Sequence, residues 1–247
     1  MRRVRDRIAS ACDRARRAPD SVKLVAVTKS VGIYTIRELL ELGVTDVGES
    51  YVQELVRRAA MIREAIERIP LSGSLSAGAA VEPKWHLIGH LQRNKARSVM
   101  PWVTMIHSLD SLRLAEDLSS GAEKAGRRLD VLLQVNAGEE SQKFGVPVAA
   151  ATHMAEQIRS LPALRLCGLM CMAPLIDDQQ RLRRIFVRVR ELFEEIQTER
   201  LAGPAFEQLS MGMTQDFEIA IEEGATIVRV GSALFEGLEP SAKAPPA

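Results

Sequence analysis

The chain has 247 residues, 46% of them hydrophobic, which suits one large domain or two small ones around a sizeable core. Its 33 basic and 32 acidic side chains nearly cancel, so a generic role on nucleic acid or an anionic membrane has no electrostatic support. No run approaches the roughly 18 apolar residues of a membrane span, and any anion the protein holds must be held locally.

The start, MRRVRDRIASACDRARRA, is basic but includes Asp6 and Asp13 and repeats apolar positions at helical spacing, so an amphipathic helix is expected rather than a targeting peptide. Beyond it, short runs rich in Val, Leu and Ile alternate with segments of helical periodicity, the pattern of repeated βα units. Eight strands are predicted, near Val22 to Lys29, Thr45 to Gly48, Trp85 to Ile88, Met105 to His107, Val131 to Asn136, Leu164 to Met172, Phe206 to Leu209 and Thr226 to Val230. Eight units in about 230 residues match a TIM-like (β/α)8 barrel, whose chemistry lies at the C-terminal ends of the strands. A doubly wound sheet is the alternative, but Ser30, Val31 and Gly32 after the first strand offer no G-x-G-x-x-G fingerprint.

Pro70 to Pro83 and the tail Glu239 to Ala247 read as loop or disorder. The expected organisation is one domain over residues 1–237 and a flexible tail over 238–247. Asn136 to Val146, with Gly138, Lys143 and Gly145, follows the fifth strand as a candidate site loop.

Lys29 ends the apolar run VKLVAVTK, which places an amine at the barrel mouth beside a low-dielectric wall, where desolvation favours the neutral form needed for Schiff-base chemistry. On position alone the plainer reading is a strand-end lysine reaching water along its stem. After the seventh strand, Ser210, Met211, Gly212, Met213 and Thr214 open a helix: glycine permits close backbone approach, the hydroxyls offer donors, and helix N–H groups favour an anion. Simple capping by Ser210 or Thr214 is the competing reading. After the eighth strand, Arg229, Gly231 and Ser232 repeat the combination, and barrels often bind phosphate after strands seven and eight. Arg229, inside an apolar run, needs a partner, and a buried carboxylate would serve.

Cys12, Cys167 and Cys171, an odd count without an apolar leader, favour a reducing cytosol over a disulfide framework, so a cytoplasmic location is expected. They lack zinc-ligand spacing. His86, within WHLIGH, reads as a hydrogen-bonded barrel residue rather than a metal ligand paired with His90, and Arg93, Lys95 and Arg97 as a solvated helix face.

The motifs AVTK (Ala26 to Lys29), VGESYVQEL (Val47 to Leu55), WHLIGHLQRNK (Trp85 to Lys95), HSLDS (His107 to Ser111), GLMCMAP (Gly168 to Pro174), SMGMT (Ser210 to Thr214) and VRVGSALFEG (Val228 to Gly237) together resemble the pyridoxal phosphate homeostasis proteins. The resemblance implies a barrel of the alanine racemase N-terminal type, fold type III among pyridoxal phosphate (PLP) proteins, with Lys29 bonded to PLP. It also implies a phosphate among Ser210, Met211, Gly212, Thr214, Gly231 and Ser232. Arg229 matches the arginine that, in related racemases, faces the pyridine nitrogen; such a group weakens the ring as an electron sink. Ser30-Val31-Gly32 stands where many members have Thr-Lys-Pro, Ser50 where asparagine is usual, His90 where many have proline, and Gln215 where an acidic residue is common.

Two functions follow. One is a non-enzymatic carrier that binds PLP and other B6 vitamers, contacts apo forms of PLP-dependent enzymes transiently, and is monomeric. The other is a racemase-like enzyme, which needs acid and base groups on both faces of a substrate carbon. Tyr34 and Tyr51 are the only tyrosines, and a second domain like the one that supplies a tyrosine in the racemases is not expected after the eighth strand, so Lys29 is expected to be the sole well-placed base. The carrier is the expected function, with weak one-base activity as the alternative.

Overall fold

The computed structural model describes residues 1–67, 81–138 and 144–238. The elements in order are α1 (Arg2–Arg14), β1 (Lys23–Val27), α2 (Ile33–Glu41), β2 (Asp46–Glu49), α3 (Val52–Glu67), β3 (Lys84–Leu87), α4 (Ala96–Val99), β4 (Val103–Leu109) and α5 (Leu112–Lys124). They continue with β5 (Leu129–Asn136), β6 (Val146–Pro147), α6 (Val148–Arg159), β7 (Leu164–Cys171), α7 (Gln179–Thr198), β8 (Gln208–Ser210), α8 (Phe217–Glu222) and β9 (Ile227–Val230).

Eight of these strands close a parallel ring. From β1 it runs through β2, β3, β4, β5, β7 and β8 to β9, which pairs back onto β1 from Lys23 opposite Ile227 to Ala26 opposite Val230. The expected barrel is therefore the observed one. A two-residue strand not expected from the sequence, β6, pairs with the end of β5 at Val135 and Asn136. The other differences are at strand ends. β1 stops at Val27 and leaves Thr28 and Lys29 beyond it, β4 extends to Val103 and Leu109, and β8 begins only at Gln208. Apolar runs mark strands well, but the last paired residue depends on where neighbours run out of hydrogen-bond partners. Most of residues 70–83, Lys143 in the loop after β5 and the tail from Glu239 lie outside the described residues.

The helices follow from spacing. In α1, Val4, Ile8, Ala11 and Cys12 are buried at helical intervals, and in α7 the stripe is Leu182, Ile185, Phe186, Val189, Leu192, Phe193 and Ile196. These stripes join the large core between helices and strands. A smaller apolar cluster of Val25, Met105, Leu132, Cys167, Met170 and Ile227 draws on β1, β4, β5, β7 and β9. Val25 shares its strand face with Val27, and Ile227 with Arg229, because side chains alternate along a strand. Among the described residues no helix is long and apolar enough to cross a membrane.

Ion pairs fasten the short helix α8 from two sides. Arg7 donates to both carboxylate oxygens of Glu218 at 3.0 and 2.9 Å, and Arg14 to Glu222 at 2.7 Å. From α7, Arg183 and Arg190 donate to Glu223 at 2.5 and 2.6 Å. The segment behind the turn after β8 is thus held by both its neighbours.

At Gly168 in β7 a Cβ would lie 1.7 Å from the Gln208 carbonyl oxygen, beside the register shift between β7 and β5 at Val131 and Leu132. Gly168→Ala is expected to lower unfolding stability by about 3 kcal/mol, because backbone must move to admit the methyl group. Urea denaturation of the two proteins measures it.

Candidate functional site

Alternation along the strands decides which side chains meet inside the barrel. Val27 of β1 lines a cavity at the C-terminal ends of the strands, and so do Lys29 just after β1, Ser50 just after β2, Gln134 from β5 and Arg229 from β9. The cavity measures about 920 Å³. Its wall continues through Thr214 and Asp216 after β8, Gly231 and Ser232 after β9, and an apolar side formed by Pro174, Leu175 and Ile176 after β7.

Lys29 faces this space and is itself exposed. Its backbone is well anchored. The preceding residue, Thr28, is fully buried; its N–H donates to the Gly48 carbonyl at 3.0 Å and its hydroxyl donates to Glu49 at 2.6 Å. Arg58 on α3 donates both to the Thr28 carbonyl at 2.6 Å and to Glu49 at 2.7 Å. Burial raises the Glu49 carboxyl above its ordinary value, while Arg58 and the Thr28 hydroxyl oppose the shift. A buried guanidinium–carboxylate pair outside the barrel thereby fixes the turn that carries the amine.

The turns after β8 and β9 are joined directly. The Gly231 N–H donates to the Thr214 hydroxyl at 3.3 Å, and the Gly212 carbonyl accepts from the Arg229 N–H at 3.0 Å. Gly212 has φ +91°, and a Cβ there would lie 2.6 Å from that of Ala220 and 2.8 Å from the Phe217 Cα, so a glycine is required for the turn to lie on α8. The residues expected from this stretch divide in two. Thr214, Gly231 and Ser232 line the cavity, whereas Ser210 and Met211 are fully buried behind it, Met211 with its N–H bonded to Ile227 and its side chain in the main core. The Met213 N–H, one of the donors available to an anion, is engaged by Asp216 at 2.5 Å.

Arg229 is 3% exposed and, among the described residues, has no carboxylate partner of the kind anticipated. It donates instead to the Ser210 hydroxyl at 2.6 Å and to the Cys171 carbonyl at 2.8 Å. Burial lowers its pKa, with the nearby Asp216 opposing the shift. A guanidinium carries five N–H donors, so others remain for the cavity it lines.

Behind Arg229 the polar contacts continue through the barrel. Ser210 meets His107 Nδ1 at 2.9 Å, His107 Nε2 meets His86 Nδ1 at 2.9 Å, and His86 Nε2 meets Asp46 at 2.9 Å. His86 is thus a hydrogen-bonded barrel residue, as its apolar setting predicts. His90 is in a separate arrangement, bonded to Asp110 at 3.1 Å and stacked on Phe144 with ring centroids 3.9 Å apart. Asp46 and His107 were not singled out from sequence. The alternation of Asp46, Gly48 and Ser50 on one face of β2 was the available signal for the first, and the shared face of Met105 and His107 for the second. Arg93 pairs with Asp117 on the surface, in keeping with a solvated face.

Residues 3–239 match the family model described as alanine racemase, N-terminal domain. A pyridoxal phosphate homeostasis protein of Aquifex aeolicus is 39% identical over 235 residues, 95% of this chain and 95% of the relative, and that of Escherichia coli is 32% identical over 98% and 97%. Among solved structures, an unknown protein from Bifidobacterium adolescentis superposes with a TM-score of 0.84 at 40% identity, covering 95% of this chain and 92% of the other. PipY of Synechococcus elongatus with PLP bound superposes with a TM-score of 0.76 at 33% identity, covering 92% and 99%. An alanine racemase of Clostridium difficile shares the fold alone, at 12% identity and a TM-score of 0.68.

Burial lowers the pKa of His86 and takes that of His107 well below its ordinary value. Each histidine therefore binds a proton more readily in the unfolded chain, so stability is full above pH 6.5 and is lost as pH falls below that value. For a histidine that stays neutral in the fold, the loss between pH 7 and pH 5 approaches about 2 kcal/mol. Urea midpoints across that range should fall, and His107→Asn should show a shallower fall. By sequence, by structure and by the extent of both matches, the chain belongs to the pyridoxal phosphate homeostasis proteins of the alanine racemase N-terminal domain family.

Proposed function

We propose that the cavity binds pyridoxal 5'-phosphate, that the Lys29 amine condenses with its aldehyde as a Schiff base, and that the protein holds and delivers this cofactor rather than transforming an amino acid. The observation carrying the proposal is that an amine, two joined turns with glycine and hydroxyl groups, and a guanidinium with unused donors all line one cavity. An aldehyde, a phosphate and a ring nitrogen are the three groups that set would recognise.

The residues fit the cofactor group by group. Thr214, Gly231 and Ser232 offer hydroxyls and close backbone approach to a phosphate, with Ser210, Met211 and Gly212 supporting the turn from behind. Arg229 is placed to meet a ring nitrogen with an N–H, which leaves that nitrogen unprotonated. PLP supplies electron withdrawal from an attached carbon when its ring is protonated, and Arg229 opposes that protonation. Neither Tyr34 nor Tyr51 lines the cavity, and His90 and Asp216 are committed to Asp110 and Met213, so the groups for proton exchange on both faces are not assembled from these residues. In the same reading the protein is a cytoplasmic monomer that meets apo-enzymes transiently.

Purified protein incubated with PLP should show visible absorbance, and borohydride reduction should label the peptide containing Lys29. Lys29→Ala should abolish the label, while Arg229→Leu should retain it with weaker binding, on the order of tenfold, for the loss of a charged donor. A colourless protein, or a label on another lysine, would defeat the proposal. Transfer to an apo-enzyme, assayed beside alanine racemisation, separates carrier from catalyst: robust racemisation that disappears in Lys29→Ala would favour the enzyme.

A further inference from the structure

The polar path behind Arg229 has its direction set at both ends. Arginine has only donors, so its 2.6 Å contact uses a lone pair of Ser210 Oγ and leaves the single hydroxyl proton for His107 Nδ1 at 2.9 Å. At the other end the ionised Asp46 has only acceptors, so His86 Nε2, 2.9 Å away, must carry a proton. A neutral imidazole has one N–H. His86 Nδ1 is then the acceptor, and His107 Nε2 the donor, of the 2.9 Å contact between the rings. The reverse order would aim a lone pair of His86 at the Asp46 carboxylate or require an imidazolium, and burial disfavours the charged form of both histidines.

The path also has a charge at each end. His86, His107, Ser210 and Arg229 are each no more than 3% exposed, and Asp46 sits at the opposite end of the strands from the cavity, beside Lys23 at 3.7 Å. A buried cation without a paired carboxylate is costly. Aligned hydrogen bonds polarise one another in a low-dielectric interior, and here each one points its dipole the same way.

We infer that the path from Arg229 through Ser210, His107 and His86 to Asp46 is a one-way hydrogen-bond relay that ties the buried guanidinium to the carboxylate at the far end of the strands and fixes the direction of its free donors. His86, His107 and Ser210 are on this account positioning residues for the group that Arg229 holds. For the identity of that group the inference rests on PLP as the occupant of the cavity.

The test is nitrogen-15 NMR of the ligand-free, full-length protein labelled at histidine, at neutral pH. The chain has four histidines, so His90→Gln and His153→Gln leave the two buried rings to be assigned. Both are expected to be protonated at Nε2 and bare at Nδ1. Asp46→Asn should move the resonances of His107 as well as those of His86, although His86 lies between. Ser210→Ala should raise the Kd for PLP about tenfold, the loss of one hydrogen bond to a charged group, with an unchanged circular dichroism spectrum. A proton on Nδ1 of either histidine overturns the relay, as does an Asp46→Asn variant in which only His86 responds, or a Ser210→Ala variant that binds PLP like the parent. The tautomers of the parent protein decide the matter if a variant does not fold. A parent that binds no PLP removes the proposed function instead, and the tautomers still stand or fall on their own.

Discussion

Burying a guanidinium whose described hydrogen bonds go to a hydroxyl and a carbonyl, not to a carboxylate, sets the terms for the interior of this barrel. Arg229 enters from β9 and is met by a hydroxyl from β8 and a carbonyl from β7, not by an ion. The donors it sends to those partners must be passed on, because a serine that accepts one bond has its own proton to place. That requirement reaches His107 on β4 and His86 on β3, and ends only where Asp46 on β2 offers a negative charge. Apolar side chains from β1, β4, β5, β7 and β9 fill space beside this path. Barrel interiors of this size are commonly packed by branched aliphatic layers, so the polar line through this one is a departure in composition but not in topology.

The same need for satisfied polar groups explains how the amine is held. Lys29 is exposed and is located by its neighbours: Thr28 is fixed on three atoms by Gly48, Glu49 and Arg58. A flexible side chain is mounted on a rigid backbone, which allows it to reach a ligand while its attachment point stays still. The turns opposite are located by Gly212, which lies against α8, and by the Thr214 to Gly231 hydrogen bond.

Much of this was legible in the sequence, and the limits have physical causes. Eight apolar runs separated by helical periodicity identified the ring, because parallel strands covered on both faces read as largely apolar runs. The short β6 escaped notice because two residues carry no period. Lys29, Thr214, Arg229, Gly231 and Ser232 were recognisable as cavity residues from their positions after strands one, seven and eight. Ser210 was expected at the same surface, but its position as the last residue of β8 turns it inward to Arg229 and His107. Partners that meet across the barrel, such as His107 and Ser210 at a separation of 103 residues, leave no trace in local spacing. The partners of Arg229 were hidden for a related reason: a carboxylate was one way to satisfy it, and the structure supplies the Ser210 hydroxyl and the Cys171 carbonyl from neighbouring strands instead.

Closure of the ring by β1 and β9 has a consequence for how the molecule is made. Residues 23 to 26 pair on one side with β9, which is 200 residues later in the chain, and α1 docks on α8, which arrives only at residue 217. During synthesis the first strand therefore keeps an open edge until β9 has emerged, and the first helix an uncovered apolar stripe until α8 has. Neither the first strand and helix nor the last can finish folding before the other pair exists.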